Sequence, residues 1–514
     1  MSQLLFSGAD WSYDTIQRIH DAVAEIAVGE LGLDVYPNQI EIISTEQMLD
    51  AYAATGMPIF YHHWTFGKNY TQQELLYRKG VQGLAYEIVI NSSPCISYIM
   101  EGNSATMQTL VIAHAAFGHN HFFKNNRTFR EFTDASGILD YLKFAKAYVA
   151  QCEERYGELA VERLIDAAHA LQSHGIFRSP RRRIADLQTE EARQKERYLY
   201  QERMYNELWS TLPASSFTRE RDLRLAAGGA RELGLPEENI LFFLERTAPR
   251  LAPWQREILR IVRLTSQYLY PQRLTKVMNE GVAAYVHYRV MQRLHEKGQI
   301  SDGSYFEFLA SHTNVVMQPD FDHLGYSGFN PYALGFVMMR DIERIATTPT
   351  AEDFIWAPDI AGAGDPMNVL KDIWADYRDD SLIAQYLSPR LMRDMRMFTI
   401  LDDPGEPQLI VKGIHDERGY RQVRRELAKR YDASHADPMI EVVSADLFED
   451  RRLVLEHKVA DGRMLAAQES KKVLQHIAEL WGYNVILREV SSDGAPLKEY
   501  LASPETSAQV TCHY

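Results

Sequence analysis

The chain has 514 residues, 46% of them hydrophobic, with a formal net charge of −15 and a pI near 5.6. That length suits roughly two to four domains around a large core, and the acidic balance opposes a sequence-independent nucleic-acid binder. Three scattered cysteines, Cys95, Cys152 and Cys512, cannot build a disulfide framework or a cysteine zinc finger, and they fit a reducing compartment.

In chain order, residues 12–33 have the spacing of an amphipathic helix, and IEIIST (40–45) that of a short strand. YHHWTFGKNY (61–70) reads as an aromatic loop, followed by a helical TQQELLYRKGVQGLA (71–85). YEIVI (86–90) and CISYIM (95–100) alternate as strands do, and NSSP between them supplies a turn, so a hairpin is expected. Ser104 or Asn103 then caps a helix that carries three histidines. Residues 134–172 read as helical. The mixed-charge stretch after them, with Arg181, Arg182 and Arg183, is either a phosphate contact or a solvated face. Helices dominate to about residue 395, among them 253–269 and 273–298.

Beyond that the texture changes to strand, helix, strand, strand, helix, strand, the βαββαβ pattern of ferredoxin-like domains. The expected fold is therefore α+β. A large, mostly helical N-terminal domain (1–398) carries a small hairpin or sheet, and a small C-terminal α/β domain spans 399–514. The N-terminus, MSQLLFSGADWSYD, has no basic segment before its brief apolar run, so no signal peptide is expected. No stretch approaches the ~20 apolar residues of a membrane span, and the expected location is cytoplasmic.

The chemistry concentrates in two helices. HAAFGHNHFF (114–123) holds His114, His119 and His121. On a straight α-helix, residues five apart point about 140° away from each other, a poor fit to one ion. Either a π-bulge near Phe117-Gly118 brings His114 and His119 together, or the helix ends at Gly118. In MNEGVAAYVH (278–287), Glu280 and His287 share a face, and Gly281, Ala283 and Ala284 keep that surface low for a close neighbour. One candidate site is a Zn, Fe or Mn centre, one ion per chain, on His114, His119 and Glu280, with His287 as fourth ligand or acid/base group. Glu87 or Glu101 would be the general base. His121, His62, His63, Lys68 and His323 are further pocket candidates, the last beside Asp320 and Asp322 in a glycine-rich loop. Asn125, Asn126 and Arg127 suit a helix end. The competing reading is that these are core histidines with satisfied hydrogen bonds.

These motifs carry a resemblance. HHWTFGK (62–68), YEIVINSSPC (86–95), AHAAFGHNHFFKNN (113–126), YPQRLTKVMNEGVAAYVH (270–287) and NPYALGF (330–336) resemble the stage V sporulation protein R (SpoVR-like) family of bacteria. The resemblance runs through most of residues 5–395 and continues more weakly to the C-terminus. It implies a role in spore-cortex assembly or in stationary-phase and stress physiology. It also implies the company of a PrkA-type serine kinase and a von Willebrand A-like protein. The shared patterns fall on His114, His119, Glu280 and His287. A looser likeness joins the chain to gluzincin-type zinc peptidases, which place a strand, a two-histidine helix and a glutamate helix in this order; here the histidines are five apart and the glutamate between them is missing. Two functions follow: a metal-dependent hydrolase of a peptide, amide or peptidoglycan-precursor bond, or a non-catalytic adaptor for the kinase and the von Willebrand A-like protein.

Overall fold

Side-chain caps set the helix starts in the first part of the chain. Ser12 accepts the Thr15 amide at the head of α1 (Tyr13–Ala24), and Ser44 forms a reciprocal capping box with Gln47 at α2 (Thr45–Ala53). The aromatic segment expected as a loop is already helical from Trp64: His63 accepts the Thr65 amide and opens α3 (Trp64–Arg78). The computed structural model describes residues 3–54, 57, 59–79, 87–178, 235–320, 323, 326–397, 399–401, 410–413, 416–433, 437–447, 449–460 and 462–512. Arg181, Arg182, Arg183 and Asp322 lie outside them.

The described residues pack as two units, Met1–Gln151 with Leu269–Ala436, and Cys152–Tyr268 with Asp437–Tyr514. The division differs from a single cut near residue 400 for a physical reason. The amphipathic helix Glu417–Tyr431 buries Leu427 in the core of the first unit.

In the first unit, β1 (Asn38–Ile43), β2 (Glu87–Ile90) and β3 (Cys95–Met100) form a sheet of order β1-β3-β2. β2 and β3 are the expected antiparallel hairpin, with Glu87 opposite Ile99, and β1 joins β3 in parallel. Ser104 caps α4 (Ala105–Ile112), which runs without a break into a π-helical turn, Ala113–His119, and then α5 (Asn120–Asn125). Asn126 ends α5 and starts the next helix by accepting the Thr128 amide, while its side-chain amide donates to the carbonyls of Trp374 and Tyr377. The second half of the unit contributes α6 (Lys276–Glu296), α7 (Asp302–Val315), α8 (Pro331–Thr347) and α9 (Asp379–Tyr386).

α6 is buried along most of its length, against the π turn on one side and α8 on another. Both contacts need small residues. A Cβ on Gly118 would stand 2.6 Å from the Cα of Ala283, and one on Gly281 would stand 2.5 Å from the backbone of Gly335.

Strands β4 (Thr399–Leu401) and β5 (Ile410–Gly413) precede the C-terminal sheet, which the second unit holds. Its strands are β6 (Ile440–Ala445), β7 (Leu453–Lys458), β8 (Val485–Val490), β9 (Pro496–Ser503) and β10 (Thr506–Cys512), in the order β10-β9-β8-β7-β6. β7 and β8 are parallel, joined by the helix Ala467–Trp481, and the other pairs are antiparallel. The elements of the βαββαβ pattern all form. Its first strand, Ile410–Gly413, pairs with Thr399–Leu401 in a separate ladder, and β9 and β10, unforeseen in the sequence, extend the sheet instead. Among the described residues no helix is long and apolar enough to cross a membrane.

The crossing gives a test of packing. Gly281→Ala must push two backbones apart and is expected to cost about 1–3 kcal/mol in chemical denaturation. Gly67→Ala, in α3 with nothing within 4 Å of the new methyl, is expected to be neutral or to gain about 0.5–1 kcal/mol. Equal effects of the two would refute the tight crossing.

Candidate metal centre

The π turn solves the spacing problem of the histidine helix. The Asn120 amide donates to the Ala115 carbonyl, five residues back, so residues five apart fall one turn apart. His114 and His119 thereby meet, with ring centroids 4.6 Å apart and planes at 89°. The bulge coincides with Gly118, the point of closest approach to α6.

Two carboxylates complete the group. Glu87 Oε1, at the start of β2, lies 3.6 Å from His114 Nε2. Glu280 Oε2, on α6, lies 3.9 Å from His114 Nε2 and 3.6 Å from His119 Nε2. Donor atoms of Glu87, His114 and His119 all lie within 4.8 Å of one another. Atoms bound at ~2.1 Å to one tetrahedral ion stand about 3.4 Å apart, so these separations are those of a ligand shell. They are too long for good hydrogen bonds. His114 Nε2 and Glu280 Oε2 are buried without a hydrogen-bond partner.

The other ring nitrogens are occupied. His119 Nδ1 is 2.9 Å from Asn279 Oδ1, and an amide oxygen only accepts, so Nδ1 carries a proton and Nε2 faces Glu280. His114 Nδ1 lies 2.9 Å from His287 Nδ1, and His287 Nε2 lies 2.8 Å from His312 Nδ1. Tyr332, at the head of α8, stacks on His114 with ring centroids 6.3 Å apart.

The electrostatics favour a cation. Burial, then the neighbouring rings of His119 and His287, hold His114 far below the usual imidazole range. Burial and the His312 and His119 rings do the same to His287. Burial and then Glu280 push Glu87 up to about 8. Burial, Glu280 and Glu87 also raise the Tyr332 hydroxyl. Two close carboxyl groups thus face the neutral imidazole of His114, and a bound cation would favour the ionised form of Glu87.

Four sequence-derived candidates therefore converge: Glu87, His114, His119 and Glu280. His287 stands behind this group, with both its ring nitrogens engaged by other histidines. Glu101 is exposed in the turn after β3, its amide bonded to the Ile43 carbonyl. His121 turns to the Asp34 backbone, which its Nδ1 meets at 2.9–3.0 Å. His63 is spent as a helix cap, and His62, Lys68 and His323 are exposed on other segments. Asn279, Tyr332 and His312 were missed. The first two lie inside the NEG and NPYALG motifs, which marked them; His312 carries no sequence signal.

The helix that carries Glu280 is held at its head by Asp379, whose two oxygens accept the Val277 and Met278 amides at 2.8 Å each.

Residues 10–436 match the family described as SpoVR like protein, and residues 438–492 the SpoVR-like C-terminal domain. The chain belongs to the SpoVR family. An Escherichia coli (strain K12) relative, described as uncharacterized protein YcgB, is 48% identical over 491 residues, covering 96% of this chain and 95% of its own. No solved structure matches the chain.

Burial pushes the Asp379 carboxyl up to about 7, against the pull of the two amides. The folded state then holds this proton more tightly than the unfolded chain, whose aspartate titrates near ~3.9. Its contribution to stability is full below about pH 4 and is lost as the pH climbs towards about 7. Wild-type stability relative to Asp379→Asn is expected to fall across that window in denaturation at stepped pH; a constant difference would count against a buried, raised carboxyl.

Proposed function

We propose that the protein is a metal-dependent hydrolase with one divalent ion on His114, His119 and Glu280 and with Glu87 as general base. The observation that carries this reading is the convergence of the imidazole nitrogens and carboxylate oxygens at 3.6–3.9 Å without hydrogen bonds between them. A mixed nitrogen and oxygen set of this kind suits zinc, iron or manganese. Such an ion would polarise a carbonyl and acidify a water.

The residues of the chain divide the remaining work. Glu280 reaches both histidines and is assigned as ligand, whereas the ion-pair contact of Glu87 in this group is with His114 alone. Glu87 is therefore placed to take a proton from a water beside the ion and return it to the leaving amine. Tyr332 stacks on the ring of His114, and Asn279 fixes the ring of His119. The substrate class is a peptide, amide or peptidoglycan-precursor bond. The setting carried by the family resemblance is spore-cortex or stationary-phase physiology, beside the PrkA-type kinase and the von Willebrand A-like protein.

Elemental mass spectrometry of protein purified without chelator is expected to find about one zinc, iron or manganese per chain. His114→Ala and His119→Ala should lose it, and Glu101→Ala should keep it. Glu87→Gln should keep the metal while amine release from peptide and muramyl-peptide amides drops about 10²–10⁴-fold. Metal-free, well-folded wild-type protein would end this reading.

A further inference from the structure

His312 belongs to none of the sequence motifs, yet it closes a run of buried imidazoles that begins at the candidate metal centre. The run is His114, His287 and His312, with nitrogen separations of 2.9 and 2.8 Å. All three side chains are buried. α7 supplies His312 and α6 supplies His287; Phe308 and Phe336 pack against the His312 ring.

A neutral imidazole has one N–H and one lone pair. Three such rings joined by two hydrogen bonds have only two self-consistent arrangements. In the first, His312 Nδ1–H donates to His287 Nε2, and His287 Nδ1–H donates to His114 Nδ1. His114 then carries its proton on Nε2, directed at Glu87 and Glu280. In the second, every bond is reversed. His114 Nδ1–H donates to His287 Nδ1, and His287 Nε2–H donates to His312 Nδ1. Only this second arrangement leaves a lone pair on His114 Nε2, which a metal ion requires.

The surroundings weigh on that choice. With no cation, the carboxyl oxygens 3.6 and 3.9 Å from His114 Nε2 favour a proton there. The positive charge of Arg340, felt by His312, favours a lone pair at the far end of the run. A cation reverses the preference at the near end. The second arrangement then puts a buried His287 N–H against His312 Nδ1, and without that acceptor the N–H would be left unpaired at a cost.

We propose that His312 is a positioning residue: by accepting from His287 it holds the His114–His287–His312 run in the polarity that frees His114 Nε2 for a divalent cation. This rests on the metal-centre reading above. It adds that occupancy of the centre is coupled, through two hydrogen bonds, to the polarity at His312.

The test is a Zn²⁺ titration of the full chain with selectively ¹⁵N-labelled histidine, on wild type, His312→Leu and His312→Gln. His312→Leu is expected to bind Zn²⁺ about 10–100-fold more weakly. His312→Gln offers an acceptor again and is expected to recover most of the affinity. In the wild type, the ¹⁵N shifts should move the His287 proton from Nδ1 to Nε2 as zinc is added, a change that packing alone would not produce. Unchanged affinity in His312→Leu, or a His287 tautomer indifferent to zinc, overturns the proposal while leaving the metal centre standing. The tautomer readout needs only the wild type, so it holds even if His312→Leu fails to fold. A wild type that takes up no zinc, iron or manganese overturns the centre itself.

Discussion

Backbone meets backbone where α6 crosses its neighbours, and the geometry of the candidate centre follows from that contact. Gly118 against Ala283 and Gly281 against Gly335 leave no room for a methyl group. Interhelical distances are ordinarily set by side chains at 8–10 Å; small residues at these crossings let the helices come closer. Glu280 is thereby carried to within ion-pair distance of both histidines, and His287, two turns along, reaches His114 directly. The π turn belongs to the same constraint. The extra residue that it accommodates turns His119 to the side of His114 while Gly118 occupies the crossing. A straight α-helix would leave the two rings on different faces.

Around that crossing the protein has gathered groups that oppose one another in isolation. Two carboxyl groups stand near each other in a largely buried place, and burial keeps the imidazoles of His114 and His287 neutral. Hydrogen bonds from the rear fix the rings, His119 through Asn279 and His114 through His287. Core histidines with satisfied hydrogen bonds would not leave Nε2 of His114 and Oε2 of Glu280 without partners.

Much of this was legible in the sequence, and the rest was not for identifiable reasons. The hairpin of β2 and β3, the Ser104 cap and the low surface of α6 are local, and turn chemistry, capping and residue size announce them. The five-residue histidine spacing left two readings open, and the structure takes the π-helical one. Failures came where local pattern and tertiary partner part company. His287 shares a face with Glu280, yet its nitrogens are claimed by rings on two other helices. Ile410–Gly413 is a strand as expected, but alternation does not say which strand it joins. α3 begins at Trp64 because a histidine can cap a helix as serine does, a role that composition hides. His312 enters through a tertiary contact from a helix with no motif of its own.

The four converging side chains are not equally sheltered. The side chains of Glu87 and Glu280 keep 16% of their surface in solvent, against 4% for His114 and 7% for His119. The centre thus has an outer lip of glutamate side chains and an inner, nitrogen-bearing floor. A hydrated divalent ion would exchange its first waters for hard oxygen donors, a step open to most such ions, and only then meet imidazoles, which hold magnesium and calcium poorly. Capture and selection would fall to different residues at different depths, so an abundant hard cation could visit the lip without settling on the floor.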